Sequence, residues 1–494
     1  MTPPVERPPQ DEVVICQLAR LGDLAQTLRL IERIRADRIS LICDAATEAW
    51  ARLLPRVFEI HTLDTRKWRS LSLGNLDLFP RLLEDLKSEI PYLRLGPQCR
   101  LLLLNDHSLT NILSAYLCGD DAGAWLTPEL LLLRSYVKLM AAQQKMNRIH
   151  LADLWASLDR GSADRRMESV KPTARGQQFA ETHLGGRRGE GSPVWTILLG
   201  SGAPHRRIEP ESFANWMLRL PAEDRPTIVL LGGPGEEPLA ERFLKKTGSR
   251  LSGIINLVGK CSAENTIGVF AASDWVLGVD TGPLHWAAAA GCRVVGSYFG
   301  EAGQHSTGPY GEGHLVIAPD CSDYPCHPSQ AAQCQWRCRQ AYDQPEVADI
   351  LVCLLRRKPS MQLPKINGLQ FHVSSIQSYG NAYAPINGER EGSEFEAYAH
   401  FSRSALNLCA WPADGFEATA YDGEKIKSLR LLCQIWESEI EQLALPKILQ
   451  VSLIQEIKSQ ARRRLAETFA KYNSHEHTAV ERRLLSGQPA AVGA

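Results

Sequence analysis

The sequence lacks any long apolar run and any excess of charge of one sign. No window of the 494 residues approaches the stretch of about 18 apolar residues that a transmembrane helix needs, so a membrane-spanning protein is not expected. The 55 Lys and Arg residues balance the 56 Asp and Glu residues, which argues against a general nucleic-acid binder with its basic excess. The hydrophobic content of 44% and the charged content of 22% are typical of a soluble globular protein.

A secretion signal and a disulfide framework are also missing. Residues 1–10 are rich in Pro and charge but contain no apolar segment of signal-peptide type. The 13 cysteines are an odd number spread along a long chain, which favours a reducing compartment over a disulfide scaffold. We therefore expect a cytoplasmic protein, and we leave open its peripheral association with the inner face of the cytoplasmic membrane.

Two segments of the chain alternate short apolar runs with helical patterns, as parallel α/β sheets do. The first segment contains three strand candidates, at 13–16, 39–43 and 101–104, a further strand-like run at 57–63, a crossover helix at 24–35 and a helical stretch at 109–117. The second segment contains five strand candidates, at 194–199, 227–231, 254–258, 275–279 and 293–299, and a closing helix at 345–357. Two such halves place a ligand cleft between the carboxyl ends of two sheets.

Between and after these segments the pattern changes. Residues 160–193 are rich in Gly and Arg and are predicted to be a linker with a helical stretch inside it. Beyond residue 360, the apolar residues from Leu429 to Leu443 recur at helical spacing, and 448–469 continues with a basic face at 462–464. Two interpretations stay open: a helical hairpin packed on the body of the protein, or a helix for a membrane surface or a partner.

Residues 273–291 form the most informative stretch of the chain. An apolar run of buried-strand type leads into Asp280-Thr-Gly-Pro, which is the chemistry of a turn and a helix start. A helix of small residues follows and ends at Gly291. The free backbone N–H groups at the start of such a helix form a place where a phosphate can bind.

Four motifs, taken in order, resemble those of the heptosyltransferase family of bacterial glycosyltransferases (family 9, GT-B fold). They are Leu21-Gly22-Asp23, the stretch 202–210, the stretch 231–236, and the stretch 280–285. The resemblance covers about residues 13–357. It implies an α/β protein with two Rossmann-like domains that face each other across a cleft. The expected parts are an acceptor domain (13–159), the linker (160–193), a nucleotide-sugar domain (194–357) and a largely helical C-terminal extension of unknown role (358–494).

The resemblance also implies an activity. It is an inverting, metal-independent transfer of a heptose from a nucleotide diphosphate, with ADP-heptose the expected donor, to a lipopolysaccharide-core or other glycan acceptor. An alternative in the same class is a protein O-heptosyltransferase of autotransporter type, which the cysteines and the unusual extension favour. Two further alternatives are a catalytically silent GT-B scaffold that recruits partners and a nucleotide-sugar epimerase of the same fold.

Carried onto this sequence, the resemblance makes Asp23 the general base. Asp23 follows Gly22 at the turn from the first strand to its helix, so that its carboxylate faces the cleft. The acceptor hydroxyl loses a proton as it attacks the anomeric carbon, and a positioned carboxylate can take that proton. The alternative reading of the residues alone is that Asp23 caps the helix that starts at Leu24.

The resemblance assigns a second set of residues to the donor. The backbone N–H groups of Thr281 and Gly282 are expected to bind the diphosphate, and Arg206, or its neighbour Arg207, to offset its charge. An exposed surface loop is the alternative for this Arg-Arg pair. The remaining donor candidates are Asp280 and His285, from the same motif as Thr281, and Glu236 or Glu237, which would accept hydrogen bonds from ribose hydroxyls.

Three basic residues are candidates for the acceptor. Arg66, Lys67 and Arg69 flank Trp68 after a strand-like run, and similar strings occur in heptosyltransferases that recognise a phosphorylated, acidic inner-core sugar. A solvated charge run is the alternative interpretation. Gln17 and Leu28 stand where the family commonly has Arg and Pro, which puts the acceptor's identity in doubt more than the fold.

Four cysteines are grouped after the last strand of the second segment. Cys321, Cys326, Cys334 and Cys338 fall within 18 residues, and four thiols are the ligand number of a structural Zn or Fe site. The spacing is irregular for a zinc ribbon, so free or transiently oxidised thiols, or disulfides, stay open. By resemblance, related protein heptosyltransferases use such a segment as a structural metal finger. No cofactor is expected for catalysis.

Overall fold

The computed structural model describes most of both α/β segments and part of the C-terminal extension. The described ranges are 10–68, 88–90, 99–105, 127–142, 144–159, 169–188, 193–326, 333–355, 365–377, 380–386, 401–403, 423–443 and 455–470, with single residues between some of them. Most of the helical stretch predicted at 109–117 lies outside the described residues.

The first half is built on a parallel sheet of four strands. These are β1 (Gln10–Gln17), β2 (Ala36–Asp44), β3 (Val57–Leu63) and β4 (Cys99–Leu103), in the order β3-β2-β1-β4. Its helices are α1 (Leu21–Gln26), α2 (Leu28–Arg33), α3 (Glu48–Ala51), α4 (Thr65–Trp68), α5 (Pro128–Ala142) and α6 (Leu151–Ala156). The crossover helix predicted at 24–35 is thus two helices, which meet at Thr27.

The second half is built on a sheet of eight strands. They are β5 (Val194–Leu198), β6 (Thr227–Leu231), β7 (Ile254–Asn256), β8 (Trp275–Val279), β9 (Arg293–Ser297), β10 (Leu315–Pro319), β11 (Leu369–Gln377) and β12 (Gly380–Pro385). Their order is β12-β11-β10-β9-β8-β5-β6-β7, parallel from β5 to β10. Strands β5, β6 and β8 are buried along their whole length, which explains their uninterrupted apolar sequences.

Helices flank the second sheet. They are α7 (Ala174–Arg188), α8 (Pro210–Arg219), α9 (Glu237–Thr247), α10 (Ala263–Ala272), α11 (Gly282–Ala289), α12 (Gln304–Thr307) and α13 (Val347–Leu355). The parallel part of the sheet has the Rossmann strand order. The prediction of two Rossmann-like domains is confirmed. The helical stretch of the predicted linker is α7, which packs along α10 where Gly176 and Gly268 let the two backbones approach.

The C-terminal extension begins as sheet and continues as helix. β11 pairs antiparallel with β10 on one side and with β12 on the other, which the sequence analysis did not anticipate. Helices α14 (Gly423–Gln442) and α15 (455–470) follow. The apolar stripe of α14 is buried in the same core as β1, and α14 packs against α5. On the basic face, Arg464 pairs with Glu129 of α5 at 3.1 Å. These contacts support the hairpin interpretation.

A buried polar network ties the extension to both halves. The Asp153 carboxylate of α6 accepts hydrogen bonds from the Tyr310 hydroxyl at 2.7 Å and from the Asn381 backbone N–H of β12 at 2.8 Å. Gly380, with φ of +121°, lies so close that a Cβ there would approach an Asp153 oxygen to 2.3 Å. Three distant parts of the chain therefore meet at one carboxylate.

No helix among the described residues is long and apolar enough to cross a membrane.

The packing of α14 predicts that two substitutions on this helix change the free energy of unfolding by different amounts. Trp436 is fully buried and lies against Tyr136 with ring centroids 5.0 Å apart and planes inclined by 51°, and its Nε1 donates to Ser135 Oγ at 2.8 Å. We expect Trp436→Ala to lower the free energy of unfolding by about 3–5 kcal/mol in urea titrations, because it leaves a cavity. Leu431, 58% exposed on the same helix, is the control: Leu431→Ala should change that energy by less than about 0.5 kcal/mol. Equal effects would contradict the described packing.

Candidate active site

In each sheet, the chain first adds strands on one side of its first strand and then crosses to the other side, which creates a topological switch point between two neighbouring strands. In the first sheet this point lies between β1 and β4, and in the second between β5 and β8. In open parallel sheets, ligands bind outside the carboxyl ends of the strands at such a point. The turns after β1, β5 and β8 carry the predicted residues Asp23, Arg206 and Asp280.

A side-chain network fixes the turn after β1. Asn105, at the end of β4, accepts a hydrogen bond from the Leu18 backbone N–H at 2.6 Å and donates to Gln17 Oε1 at 2.7 Å. Gln17 Nε2 donates in turn to the Thr27 hydroxyl at 3.2 Å, and that hydroxyl donates to the Asp23 carbonyl at 3.0 Å. Gln17 and Asn105 are 1% and 8% exposed, so this network holds the Asp23 turn from inside the protein.

Asp23 lies in the first turn of α1. The helix starts at Leu21 and not at Leu24, so Asp23 is not its N-cap residue as the alternative interpretation had it. As the third helical residue, it accepts a hydrogen bond at Oδ2 from the backbone N–H of the N-cap residue Arg20 at 3.1 Å. Burial raises the pKa of the Asp23 carboxyl above its ordinary value, and the nearby Asp280 raises it further. His285 and Arg20 act in the opposite direction and lower this pKa. The carboxylate therefore caps its helix and also faces charged groups of the other half.

A close helix contact brings the two halves together at this point. Helix α1 packs against α11, and the Trp286 indole N–H donates to the Leu21 carbonyl at 3.1 Å. A Cβ on Gly22 would lie 2.6 Å from His285 Cδ2, and one on Gly282 would lie 2.8 Å from Leu21 Cβ. The two glycines thus permit an approach that larger residues would block.

The turn after β8 starts α11 with free backbone N–H groups. The helix begins at Gly282 with Pro283 in its first turn, and no side chain caps it at Thr281. The eight residues of α11 run back into the core, where Trp286 and Leu284 are fully buried. The open start of this helix faces the cleft beside Asp280 and His285, which suits an anion.

Arg206 is the cation at this helix start. Its guanidinium donates to Asp280 Oδ2 at 2.5 Å, and its Nε lies 3.7 Å from Glu301 Oε1. The other Asp280 oxygen lies 3.2 Å from His285 Nε2. The side chains of Arg206 and Asp280 are only 17% and 15% exposed. One cation is therefore held between two carboxylates at the edge of the cleft.

Two buried polar atoms in this cluster have no partner among the described residues. They are His285 Nδ1 and Glu301 Oε2. A buried polar atom without a hydrogen bond costs about 1–3 kcal/mol, so a ligand that supplied the missing partner would gain from it. Glu301 was not among the predicted residues. Its only signal in the sequence is its place just after the apolar run of β9, and the contact with Arg206 spans 95 residues.

The predicted ribose residues lie on the neighbouring loops. Glu236 Oε2 accepts from the Gly233 backbone N–H at 2.8 Å, and its carboxylate covers Gly200 and Gly232, which follow β5 and β6. Glu237 starts α9 and covers Gly259 instead. Arg207 is partly buried, and its Nε atom has no partner within the described part of the chain.

The predicted acceptor residues lie on α4, after the edge strand β3. Lys67 Nζ pairs with Glu89 Oε1 at 2.8 Å, and Arg66 Nε lies 3.9 Å from Asp64, with 72% of its side chain exposed. Arg69 lies outside the described residues. These exposed charges are thus partly balanced by acidic neighbours.

The four grouped cysteines lie near one another and near the donor loops. Burial raises the pKa of the Cys326 thiol to about 11, and Cys338 and Cys334 add to the shift. Burial likewise raises the pKa of Cys338. All the described cysteines are free thiols. In the described part of the chain, no three His, Cys, Asp or Glu side chains are grouped so as to hold a metal ion.

Comparison with known proteins identifies a family domain in part of the chain. The family model described as glycosyltransferase family 9 (heptosyltransferase) matches residues 149–339, which contain three of the four motifs. The match confirms the resemblance predicted from those motifs. No curated protein matches the sequence.

Solved structures with the same fold include a glycosyl transferase family 9 protein from Veillonella parvula DSM 2008. It shares 13% identity and has a TM-score of 0.54, with 72% of this chain and 99% of that chain covered. E. coli ADP-heptose lps heptosyltransferase II gives 15% identity, a TM-score of 0.46 and coverages of 70% and 99%. E. coli heptosyltransferase WaaC with ADP gives 15% identity and a TM-score of 0.44, with 66% of this chain and 99% of that chain covered. At 13% identity the likeness to the Veillonella parvula protein concerns the fold alone.

Proposed function

Because the chain carries a glycosyltransferase family 9 domain and is a glycosyltransferase, we propose that it moves a heptose from a nucleotide diphosphate to a glycan with inversion. The observation that carries this proposal is the contact of α1 with α11. It brings Asp23 of one half beside Asp280 and His285 of the other, next to Arg206. A base and an anion site thus flank one point in the cleft, as a displacement at the anomeric carbon requires.

The donor diphosphate binds at the start of α11. Its oxygens accept hydrogen bonds from the N–H groups of Thr281 and Gly282, and Arg206 turns from Asp280 and Glu301 toward the new anion. When the bond from the anomeric carbon to the diphosphate oxygen breaks, its electron pair stays on the diphosphate. The fixed N–H groups and the guanidinium stabilise that charge as it develops. Glu236 accepts from the ribose, and His285 Nδ1 offers a further contact.

Asp23 takes the proton of the acceptor hydroxyl as its oxygen forms the new bond to the anomeric carbon. A partly buried carboxylate with a raised pKa is a better base than an exposed one, because its charged form is less stabilised by water. The helix-capping contact with Arg20 uses one carboxylate oxygen, and the other is available to the acceptor. No metal takes part in these steps.

ADP-heptose is the proposed donor, and an anionic glycan such as a lipopolysaccharide core is the proposed acceptor. The exposed cations Arg66 and Lys67 support an anionic acceptor. A polypeptide acceptor is the second candidate, which the cysteine cluster and the extension favour. Transfer assays with glycan and peptide acceptors in parallel separate the two. The free thiols support a reducing, cytoplasmic location, with peripheral membrane association as part of the same proposal.

The proposed donor site predicts which nucleotide the protein prefers and which Arg substitutions weaken its binding. We expect calorimetric titration to show binding of ADP in preference to GDP and UDP, and Arg206→Ala to weaken it about 10- to 100-fold, because a charged hydrogen bond is lost. Arg207→Ala should have a smaller effect. Arg219→Ala, which removes an ion pair with Asp349 between α8 and α13, is the control and should change nothing. A preference for another nucleotide would remove heptose from the proposal; equal losses in all variants would contradict the site.

The proposed base predicts a pH profile. A base acts only when ionised, so kcat rises with pH as Asp23 loses its proton, and its raised pKa places that limb above the ordinary range of aspartate. We expect Asp23→Asn to lower kcat about 10²- to 10⁴-fold with nucleotide affinity retained. His285 lowers the pKa of Asp23, so His285→Gln should move the limb to higher pH. A limb unchanged by His285→Gln, or full activity in Asp23→Asn, would contradict the assignment.

We also propose a structural metal at Cys321, Cys326, Cys334 and Cys338. Four thiols within 18 residues are the ligand number of such a site, which supports this proposal, although the described side chains do not converge as ligands. Elemental analysis of purified protein should then give about one Zn or Fe per chain, and four thiols should react with a thiol reagent only after chelation. Cys326→Ser is expected to lose the metal, and the buried Cys433→Ser is expected to keep it. Metal-free protein with four reactive thiols would overturn this proposal.

A further inference from the structure

The segment that contains Cys334 and Cys338 contacts both loops that carry the charged donor residues. We call residues 334–342 the bracing segment. One loop, 203–209, follows β5 and carries Arg206, and the other, 298–303, follows β9 and carries Glu301. The bracing segment touches each loop at two places, so it lies across the outer side of the donor site.

Trp336 makes the central contact. Its ring stacks on the His205 ring with centroids 4.3 Å apart and planes inclined by 28°. The same ring lies against Gly300, where a Cβ would come within 2.5 Å of Trp336 Cζ3. His205 immediately precedes Arg206, and Gly300 immediately precedes Glu301. One indole therefore fills the space between the two loops next to the ion pair that they form.

Further contacts hold the segment and the loops together. Arg339 donates to Glu209 Oε1 at 2.6 Å on the first loop, and the Tyr342 hydroxyl donates to the Tyr298 carbonyl at 2.6 Å on the second. The Cys326 backbone N–H donates to the Gly300 carbonyl at 3.0 Å.

The backbone of Trp336 supports a positional role. Gln335 and Trp336 both adopt left-handed conformations, with φ of 53° and 55°. Residues with side chains rarely occupy this region, and they do so where the surrounding structure holds them there. The indole of Trp336 is thus directed between the loops by a backbone bend that has a conformational cost.

We infer that Trp336 is a positioning residue for the donor site. It sets the separation of the two loops and thereby places the Arg206 guanidinium where a diphosphate binds. The inference rests on the proposed function of Arg206. Loss of the indole leaves a gap between the loops, so Arg206 samples more positions and binds a diphosphate less tightly. Asp23, on the other half, keeps its position, so the effect falls on nucleotide affinity, on donor KM and on the part of kcat that Arg206 supplies, while the pH limb assigned to Asp23 stays where it is.

The test measures the dissociation constants of ADP, GDP and UDP for the full-length protein and its variants. We expect Trp336→Ala to weaken the best-bound nucleotide about ten-fold with the thermal midpoint little changed, and Trp336→Phe to restore most of the affinity, because a ring still stacks on His205. The donor KM should rise by a similar factor, kcat should fall no further than in Arg206→Ala, and the pH limb assigned to Asp23 should not move.

A matched pair of glycine variants tests the same contact from the opposite side. Gly300→Ala places a methyl group against the Trp336 ring, and the backbone φ of Gly300 is +66°. Gly313→Ala carries the same backbone strain, at φ +74°, but has no neighbour within 4 Å. We expect only Gly300→Ala to weaken nucleotide binding. In the double variant with Trp336→Ala, the two effects should not add, because both act through one contact.

The outcomes separate the inference from the function it rests on. If the wild type binds a nucleotide and Arg206→Ala weakens it, but Trp336→Ala and Gly300→Ala bind normally, the inference is overturned and the donor site stands. Equal losses in Gly300→Ala and Gly313→Ala would also overturn it, as would a loss that Trp336→Phe does not restore. If the wild type binds no nucleotide, the proposed function fails and the inference fails with it.

Discussion

The close packing of α1 against α11 is the constraint on which the site depends. The two helices start at the carboxyl ends of strands in different sheets, and Gly22 and Gly282 let their first turns meet. Without this contact, a carboxylate of the first half and a helix N-terminus of the second would only line opposite walls of a cleft. With it, the charges of His285 and Asp280 act directly on the pKa of Asp23. The buried Trp286 extends the contact into the core of the first half.

The charges around Arg206 are balanced before any ligand arrives. Two carboxylates, from Asp280 and Glu301, share one guanidinium. In the proposed donor complex, the diphosphate competes with them for the same donors, so binding exchanges one set of charge-assisted hydrogen bonds for another. This exchange favours ligands with two negative groups close together over singly charged ones. It also explains how a mostly buried Arg side chain is kept in place by partners that a ligand can replace.

The sequence predicts the parallel strands and the motif residues because both depend on local patterns. Uninterrupted apolar runs mark β5, β6 and β8, and the Asp-Thr-Gly-Pro stretch marks the start of α11. The pair β11 and β12 was missed because its polar residues, such as His372 and Ser374, are buried by edge pairing rather than by an apolar sequence. Glu301, Asn105 and Trp336 were missed for a related reason: each acts through a contact with a residue far away in the chain, which no local pattern records.

The participation of α14 in the first core has a consequence for the order of folding. Domains generally fold as units during synthesis, with the N-terminal one first. Here the core around β1 includes Leu429, Leu432 and Trp436, which leave the ribosome after the whole second half has been made. The first half is therefore synthesised early, but the face of α5 that packs against α14 stays uncovered until the last helices arrive. The half of the protein that is translated first is the half that completes its fold last.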